Sequence, residues 1–207
     1  MKTFNLDGIE ITHIHHSAVK IKTQDLVIYA DPYQVSDEQA DLILITHDHF
    51  DHFDTGSILK LQKPGTKVVA PEILKGKIAG DVKTLEPGGT FEILGVKIAT
   101  IPSYNLTLPN HSKEKGYLGY VLDIVGKRIF IPGDTDKTPE MVTLKDIDLA
   151  FLPIAGPMMH EEEAASAVKE FKPKIVVPYH YGEVIGGGDP EKFAGLVGDA
   201  AKVVILD

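Results

Sequence analysis

The sequence predicts an α/β fold in which two mixed β-sheets pack face to face with helices on their outer faces. Three observations carry that expectation. Meanders of short apolar strand patterns give way to strand and helix alternation, and this succession occurs twice, in roughly 100 residues each. The runs Leu42-Ile43-Leu44-Ile45 and Leu149-Ala150-Phe151-Leu152 are continuously apolar, as strands buried on both faces are. At 207 residues and 43% hydrophobic content the chain can fill a two-sided core, and the usual size of about 100–200 residues makes 1–207 a single expected domain.

Residues 8–14, 18–21 and 26–30 are β-branched and apolar, with polar breaks at His15-His16-Ser17 and Lys22-Thr23-Gln24-Asp25, and predict an antiparallel meander. Asp31-Pro32 ends the third strand, because proline removes a backbone donor. A strand over 41–46 follows, then a polar turn, then a helical pattern through Ile58, Leu59 and Leu61. Residues 67–70 read as a strand, 71–74 as a short helix opened by Pro71, and 82–85 as a strand.

The second half begins as the first did. Residues 91–94 and 96–101 flank Gly95 as one hairpin, and 117–125 and 128–131 flank Gly126-Lys127 as another. After the strand at 149–152 comes a helix with Ala164, Ala167, Val168 and Phe171 on one face. Glu161, Glu162 and Glu163 occupy its first turn, where the helix dipole favours negative charge. A strand at 174–178, a helix at 190–197 and a strand at 203–206 complete the alternation, with Gly186-Gly187-Gly188 as a loop.

Composition excludes several chemistries. The chain has no cysteine, so disulfides, thiolate metal sites and a cysteine nucleophile are absent, and nitrogen and oxygen remain as ligands. A net charge of −9 disfavours a large nucleic-acid footprint. Six lysines between Lys60 and Lys83 read as a solvated surface. The N-terminal residues lack the apolar core of a signal peptide, and no run approaches the ~18 apolar residues of a membrane span. A soluble, cytoplasmic protein acting on a small molecule is expected, with the oligomeric state left open.

The chemistry concentrates in Thr46-His47-Asp48-His49-Phe50-Asp51-His52, three imidazoles and two carboxylates delivered by one buried strand into one turn. His47 and His49, two apart, project to the same side of an extended turn and can grip one metal. If the chain then bends into the helix, Asp51 and His52 point to a neighbouring position about 3.5–4 Å away, the spacing of two-metal hydrolytic sites. Three further ligand-type residues follow later strands or lie in loops: His111, Asp134 after Pro132-Gly133, and His180 after Val177-Pro178-Tyr179.

Together these motifs resemble the metallo-β-lactamase fold superfamily along nearly the whole chain. Residues 46–52 match its H-x-H-x-D-H signature, and His111, Asp134 and His180 fall in the order of its later ligand motifs. Tyr29-Ala30-Asp31-Pro32, Gly133-Asp134-Thr135-Asp136, 159–165 and Pro178-Tyr179-His180-Tyr181-Gly182 look closest to small uncharacterised metal-dependent hydrolases related to ascorbate-phosphate lactonases. The resemblance implies a four-layer αββα sandwich with a dinuclear site at one edge of the sheets. It assigns His47, His49 and His111 to one metal and Asp51, His52 and His180 to the other, with Asp134 as the bridge.

Two divalent cations lower the pKa of a water from 15.7 towards ~7, and one polarises the oxygen of the bond to be cleaved. The expected reaction is hydrolysis of a small ester, lactone or phosphoester. Asp51, besides its ligand role, could orient that water or accept its proton. Zinc is the first choice, with manganese, iron or nickel admitted by an all-nitrogen-and-oxygen set. Diiron oxygen-reducing relatives carry glutamate where this chain has His49, which argues against redox chemistry. Asp31 is placed to orient a ligand imidazole. His16 is a candidate for contact with substrate or a ligand, and Tyr104 and Asn105 for the pocket wall. His13 and His15 read as strand-surface residues, and His160 as a substitute helix cap. The competing reading is a non-catalytic metal-binding or interaction protein on the same fold.

Overall fold

Alternating apolar residues build the first sheet from a meander of β1 (Thr3–Leu6), β2 (Ile9–His15), β3 (Ala18–Lys22) and β4 (Val27–Ala30), paired antiparallel in that order. Parallel strands β5 (Leu42–Leu44), β6 (Lys67–Pro71) and β7 (Asp81–Leu85) extend it, each on the edge of the last. This computed structural model describes residues 2–206. They fall into two units, one running to Leu85 and including Leu206, the other Glu86–Ile205.

The second unit repeats the plan. Strands β8 (Thr90–Ile93), β9 (Val96–Pro102), β10 (Leu118–Ile124) and β11 (Lys127–Ile131) form an antiparallel meander. Strands β12 (Leu149–Pro153), β13 (Ile175–Tyr179) and β14 (Lys202–Val203) then add in parallel. Each unit is therefore one seven-stranded mixed sheet in strict sequence order. Pro178 is tolerated inside β13 because β14 pairs only with Ile175 and Val176, so no neighbour on that side needs its missing N–H.

Helices cover one face of each parallel half. In the first unit α1 (Thr55–Leu61) packs Ile58 and Leu61 on Tyr29, Ile43, Val68 and Ala70. Leu59 departs from the expected apolar face: it is 64% exposed, because one residue past Ile58 turns about 100° around the helix. In the second unit α2 (Pro139–Val142), α3 (Glu161–Phe171) and α4 (Pro190–Val197) lie over Val121, Phe130, Ala150, Leu152 and Val176. The predicted residues Ala164, Ala167, Val168 and Phe171 are the buried face of α3. Removing Phe171 to alanine would cost about 3–5 kcal/mol, the usual figure for a buried aromatic. Strand β1 and helix α2 are additions to the predicted elements. Both are four residues long, too short for periodicity to declare them.

Candidate metal centre

The ligand turn leaves β5 with its backbone already fastened. Asp31, at the end of β4, takes a left-handed backbone conformation (φ +45°) that costs a non-glycine residue about 1–2 kcal/mol. That turn aims its carboxylate across to the neighbouring strand end, where Oδ1 accepts from the Thr46 backbone N–H at 2.7 Å and Oδ2 from the Thr46 hydroxyl at 2.6 Å. Oδ2 also lies 2.8 Å from Nδ1 of His52. A carboxylate can only accept here, so Nδ1 of His52 carries the proton and Nε2 holds the lone pair a metal would bind. The Thr46 hydroxyl spends its proton on Asp31 and therefore accepts from Nδ1 of His47 at 2.9 Å, which leaves Nε2 as the donor atom of His47 too. One buried aspartate thus sets the tautomers of two imidazoles, one directly and one through a threonine. His47 and His52 stand with ring centroids 4.0 Å apart, and His47 and His49 4.7 Å apart.

Asp51 is fixed from the β2–β3 turn. A bulge shifts the register between His13 and His15, and His16 follows in the left-handed region (φ +50°). The bulge sends His15 outward and His16 inward. His16 Nε2 sits 2.9 Å from Asp51 Oδ2, and the Ser17 hydroxyl donates to the Asp51 carbonyl at 2.5 Å. His16, Asp51 and His52 offer ligand atoms within 4.8 Å of one another, as do His47 and His49. His16 is 3% exposed and bonded to Asp51, so it meets Asp51 rather than standing open to solvent. His13 is a correction: the expected surface residue is buried and its Nε2 bonds the His16 carbonyl at 2.7 Å. His15 is exposed, as read from the sequence.

In the second unit the candidate ligands come from three separate connections. His111 lies in a short 3₁₀ turn (Pro109–His111) between β9 and β10, its ring 5.0 Å from that of Tyr117. Asp134 follows β11, its carbonyl accepting from Ser103 at 2.9 Å. His180 follows β13 with a positive φ (+54°), and its Nε2 approaches Asp134 Oδ1 at 3.0 Å. His111 and Asp134 offer ligand atoms within 4.8 Å of each other. All three residues are buried. Buried imidazoles and carboxylates of this kind suit divalent cations that accept nitrogen and oxygen donors, and the acidic groups offset the charge.

Other expected pocket residues have structural work. The Tyr104 hydroxyl donates to Glu140 at 3.0 Å, and burial, then Glu140, pushes its pKa upward. Asn105 Nδ2 donates to Asp136 and to the Pro157 carbonyl, both at 2.7 Å, while its Oδ1 accepts three bonds from Thr107 and Leu108. Burial raises the pKa of Asp136. His160 occupies the N-cap position of α3 but makes no side-chain cap bond, so it is not the substitute cap that was expected. Sequence reading passed over Thr46 and Ser17. Their signal was their position, a hydroxyl immediately before a candidate ligand histidine and one immediately after His16.

Comparison with known proteins decides the family. The model of the Beta-lactamase superfamily domain matches residues 10–180. The chain belongs to the metallo-β-lactamase superfamily. Its fold class is accordingly the αββα sandwich predicted from the sequence. Among curated relatives, a UPF0173 metal-dependent hydrolase of Pyrococcus abyssi is 34% identical, covering 96% of each chain. Among solved structures, a protein of Parabacteroides distasonis described as a candidate metal-dependent hydrolase is 34% identical with a TM-score of 0.88, covering 99% of this chain and 97% of that one. Igni18, a metallo hydrolase of Ignicoccus hospitalis, is 25% identical with a TM-score of 0.80 over 96% of this chain and 95% of that one. Among the described residues, no helix is long and apolar enough to cross a membrane.

Proposed function

We propose that this protein is a metal-dependent hydrolase that cleaves a small ester, lactone or phosphoester at a dinuclear centre. The observation that carries the reading is the Asp31–Thr46 network, which holds His47 and His52 as Nε2 donors within one buried turn. Ordinary packing gives no reason to fix two tautomers with a strained aspartate, whereas metal ligation does. The assignment follows the superfamily resemblance, with His47, His49 and His111 for one ion, Asp51, His52 and His180 for the other, and Asp134 between them. Zinc is the proposed metal.

Two bound divalent cations supply Lewis acidity and bring the pKa of water into the neutral range. The chain's own residues do the rest. Asp31 and Thr46 keep the donor nitrogens deprotonated and aimed. His16 and Ser17 hold Asp51, whose carboxylate is the group placed to orient a water or take its proton. The proposed setting is the cytoplasm, with a small molecule as partner and no nucleic acid, on the strength of the −9 charge and the cysteine-free sequence.

The test is hydrolysis of lactones, carboxylic esters and phosphoesters by zinc-loaded protein, with His49→Ala beside it and bound zinc measured in both. The expectation is two zinc ions per wild-type chain and activity that the variant loses. Equal activity in both proteins would overturn the dinuclear reading. Metal bound without hydrolysis in any arm would instead support a binding protein.

A further inference from the structure

Phe50 separates the two pairs of ligands in the turn, His47 with His49 and Asp51 with His52, and reads in the sequence as a spacer. In the structure it is 70% exposed, and Leu59 and Val125 are comparably so, so exposure alone assigns it no role and its neighbours decide. It does not stand alone. Its ring meets Tyr33 edge to face at 6.0 Å, and Tyr33 stacks on the exposed His15 at 5.8 Å with an interplanar angle of 16°. The same Tyr33 ring lies 6.1 Å from His16, which lies 6.1 Å from His52. A series of ring contacts therefore links the exposed Phe50 and His15, through Tyr33, to the buried His16 and His52.

That surface is stiff. The Tyr33 hydroxyl accepts from Gln34 Nε2 at 2.9 Å, the Gln34 backbone N–H donates to Asp54 at 3.0 Å, and the Val35 N–H donates to the Ser57 hydroxyl at 2.8 Å. The loop bearing Tyr33 is thus tied to the first turn of α1, and little ordering entropy remains to be lost when a ring docks.

The cations that could clamp a phosphoryl group lie away from the turn or are paired with acids: Lys113, two residues after His111, pairs with Glu140, and Lys137 with Glu170. Arg128 is the single arginine of the sequence. It stands at the start of β11, the end opposite Asp134, and its guanidinium donates to the Lys145 carbonyl. Near the ligand turn, Lys77 lies 3.9 Å from Asp48, an acidic partner that offsets its charge.

Building on the hydrolase reading, we propose that Phe50, Tyr33 and His15 bind a flat apolar group of the substrate, which is an aryl-bearing carboxylic ester or lactone rather than a phosphoester. In the reaction a water oxygen bonds to the acyl carbon and the acyl–oxygen bond breaks. The departing alcohol oxygen takes one proton, and the acid releases the other to solvent.

The test uses matched probes on the zinc-loaded full chain. Benzohydroxamate and acetohydroxamate, both metal-directed ligands, are compared by calorimetry. Benzyl acetate and ethyl acetate are compared by KM, and diphenyl phosphate by kcat/KM. Wild type is expected to favour the aryl member of each pair by about tenfold, the scale of one aromatic contact. Phe50→Ala should reduce that ratio to near one and Phe50→Tyr should keep it; the position is exposed, so neither change threatens folding. An aryl preference unchanged in Phe50→Ala overturns the proposal, as does faster cleavage of diphenyl phosphate than of benzyl acetate. Hydroxamate preference that depends on Phe50, in a protein that cleaves no ester, would instead overturn the hydrolase reading and keep the aryl-binding surface.

Discussion

The two sheets are near copies at one end and differ at the other. Where parallel pairing begins, Asp41 in the first unit exchanges backbone bonds with Val27, its N–H donating to the Val27 carbonyl and its Oδ2 accepting from the Val27 N–H, both at 2.8 Å, and pairs with Lys63 at 2.7 Å. In the second unit Asp148 does the same with Arg128, both bonds at 2.9 Å, and pairs with Lys174 at 2.7 Å. At the opposite ends of these strands the units part. Asp31 and Asp134 both follow the fourth strand of their sheet, yet Asp31 turns both oxygens inward to Thr46 and His52, while Asp134 Oδ1 lies 3.0 Å from the His180 imidazole. The starts of the strands repeat a bonding pattern that secures the fold, whereas their ends gather candidate ligands in two ways. One unit packs four of them into a seven-residue turn and supports them; the other spreads three over three connections.

If Asp134 is a ligand and Asp31 a support, the largest effect belongs to the second unit. Asp134→Asn should lower zinc stoichiometry below two per chain and reduce hydrolysis more than about 100-fold, since losing a mere orienting partner costs about 10–100-fold. Full stoichiometry in this variant, measured by metal analysis after gel filtration, would reverse the roles. Asp31→Asn comes next. It should retain two zinc ions at saturation but weaken affinity by about 10–100-fold in a chelator competition. Thr46→Val should imitate it in part, because only the path to His47 is cut, and Thr46→Ser should restore affinity. Loss of one ion outright in Asp31→Asn would erase the contrast between the two aspartates.

Much of this was legible in the sequence, and unevenly. The turn from Thr46 to His52 declared itself because five ligand-type side chains crowd together after an apolar run. Asp134 and His180 showed only as polar residues after buried strands, and His111 as a loop histidine, so their standing came from family resemblance and not from local pattern. The meander and the strand–helix alternation followed from periodicity, and the helix expected at 190–197 is α4 to the residue. What stayed hidden depended on tertiary geometry. The burial of His13, the two tautomers set by Asp31 and the paired roles of Asp41 and Asp148 all need partners more than ten residues away or a bulge that no pattern encodes, the His13–His16 contact being the bulge's own. The ring contact of Phe50 stayed hidden for the same reason, since Tyr33, and His15 stacked on it, come from other connections.

Two smaller effects separate support from architecture. Asp54 caps α1, its Oδ1 accepting from the Gly56 and Ser57 N–H groups, and Asp54→Ala should cost about 1 kcal/mol in denaturant unfolding. The smallest effect is also the sharpest check on the repeat. Burial alone would raise the pKa of Asp41 and Asp148, but their lysines and the backbone N–H groups outweigh it and hold both carboxyls below the ordinary value. A lowered folded pKa means stability that is present above the unfolded value near ~3.9 and lost as pH falls through the folded one. The asparagine variants keep an acceptor for the backbone N–H and lose the ion pair, so Asp41→Asn and Asp148→Asn should each cost about 0.5–1 kcal/mol at pH 7. That cost should shrink towards zero as the pH is taken down through the carboxylate range, and in parallel for the two positions, because their partners match. Thermal midpoints recorded from pH 7 to pH 3 would read it. Divergent pH profiles would mean that the two strand starts, alike in geometry, are not alike in energy, and the repeated end of the molecule would be a likeness of shape only.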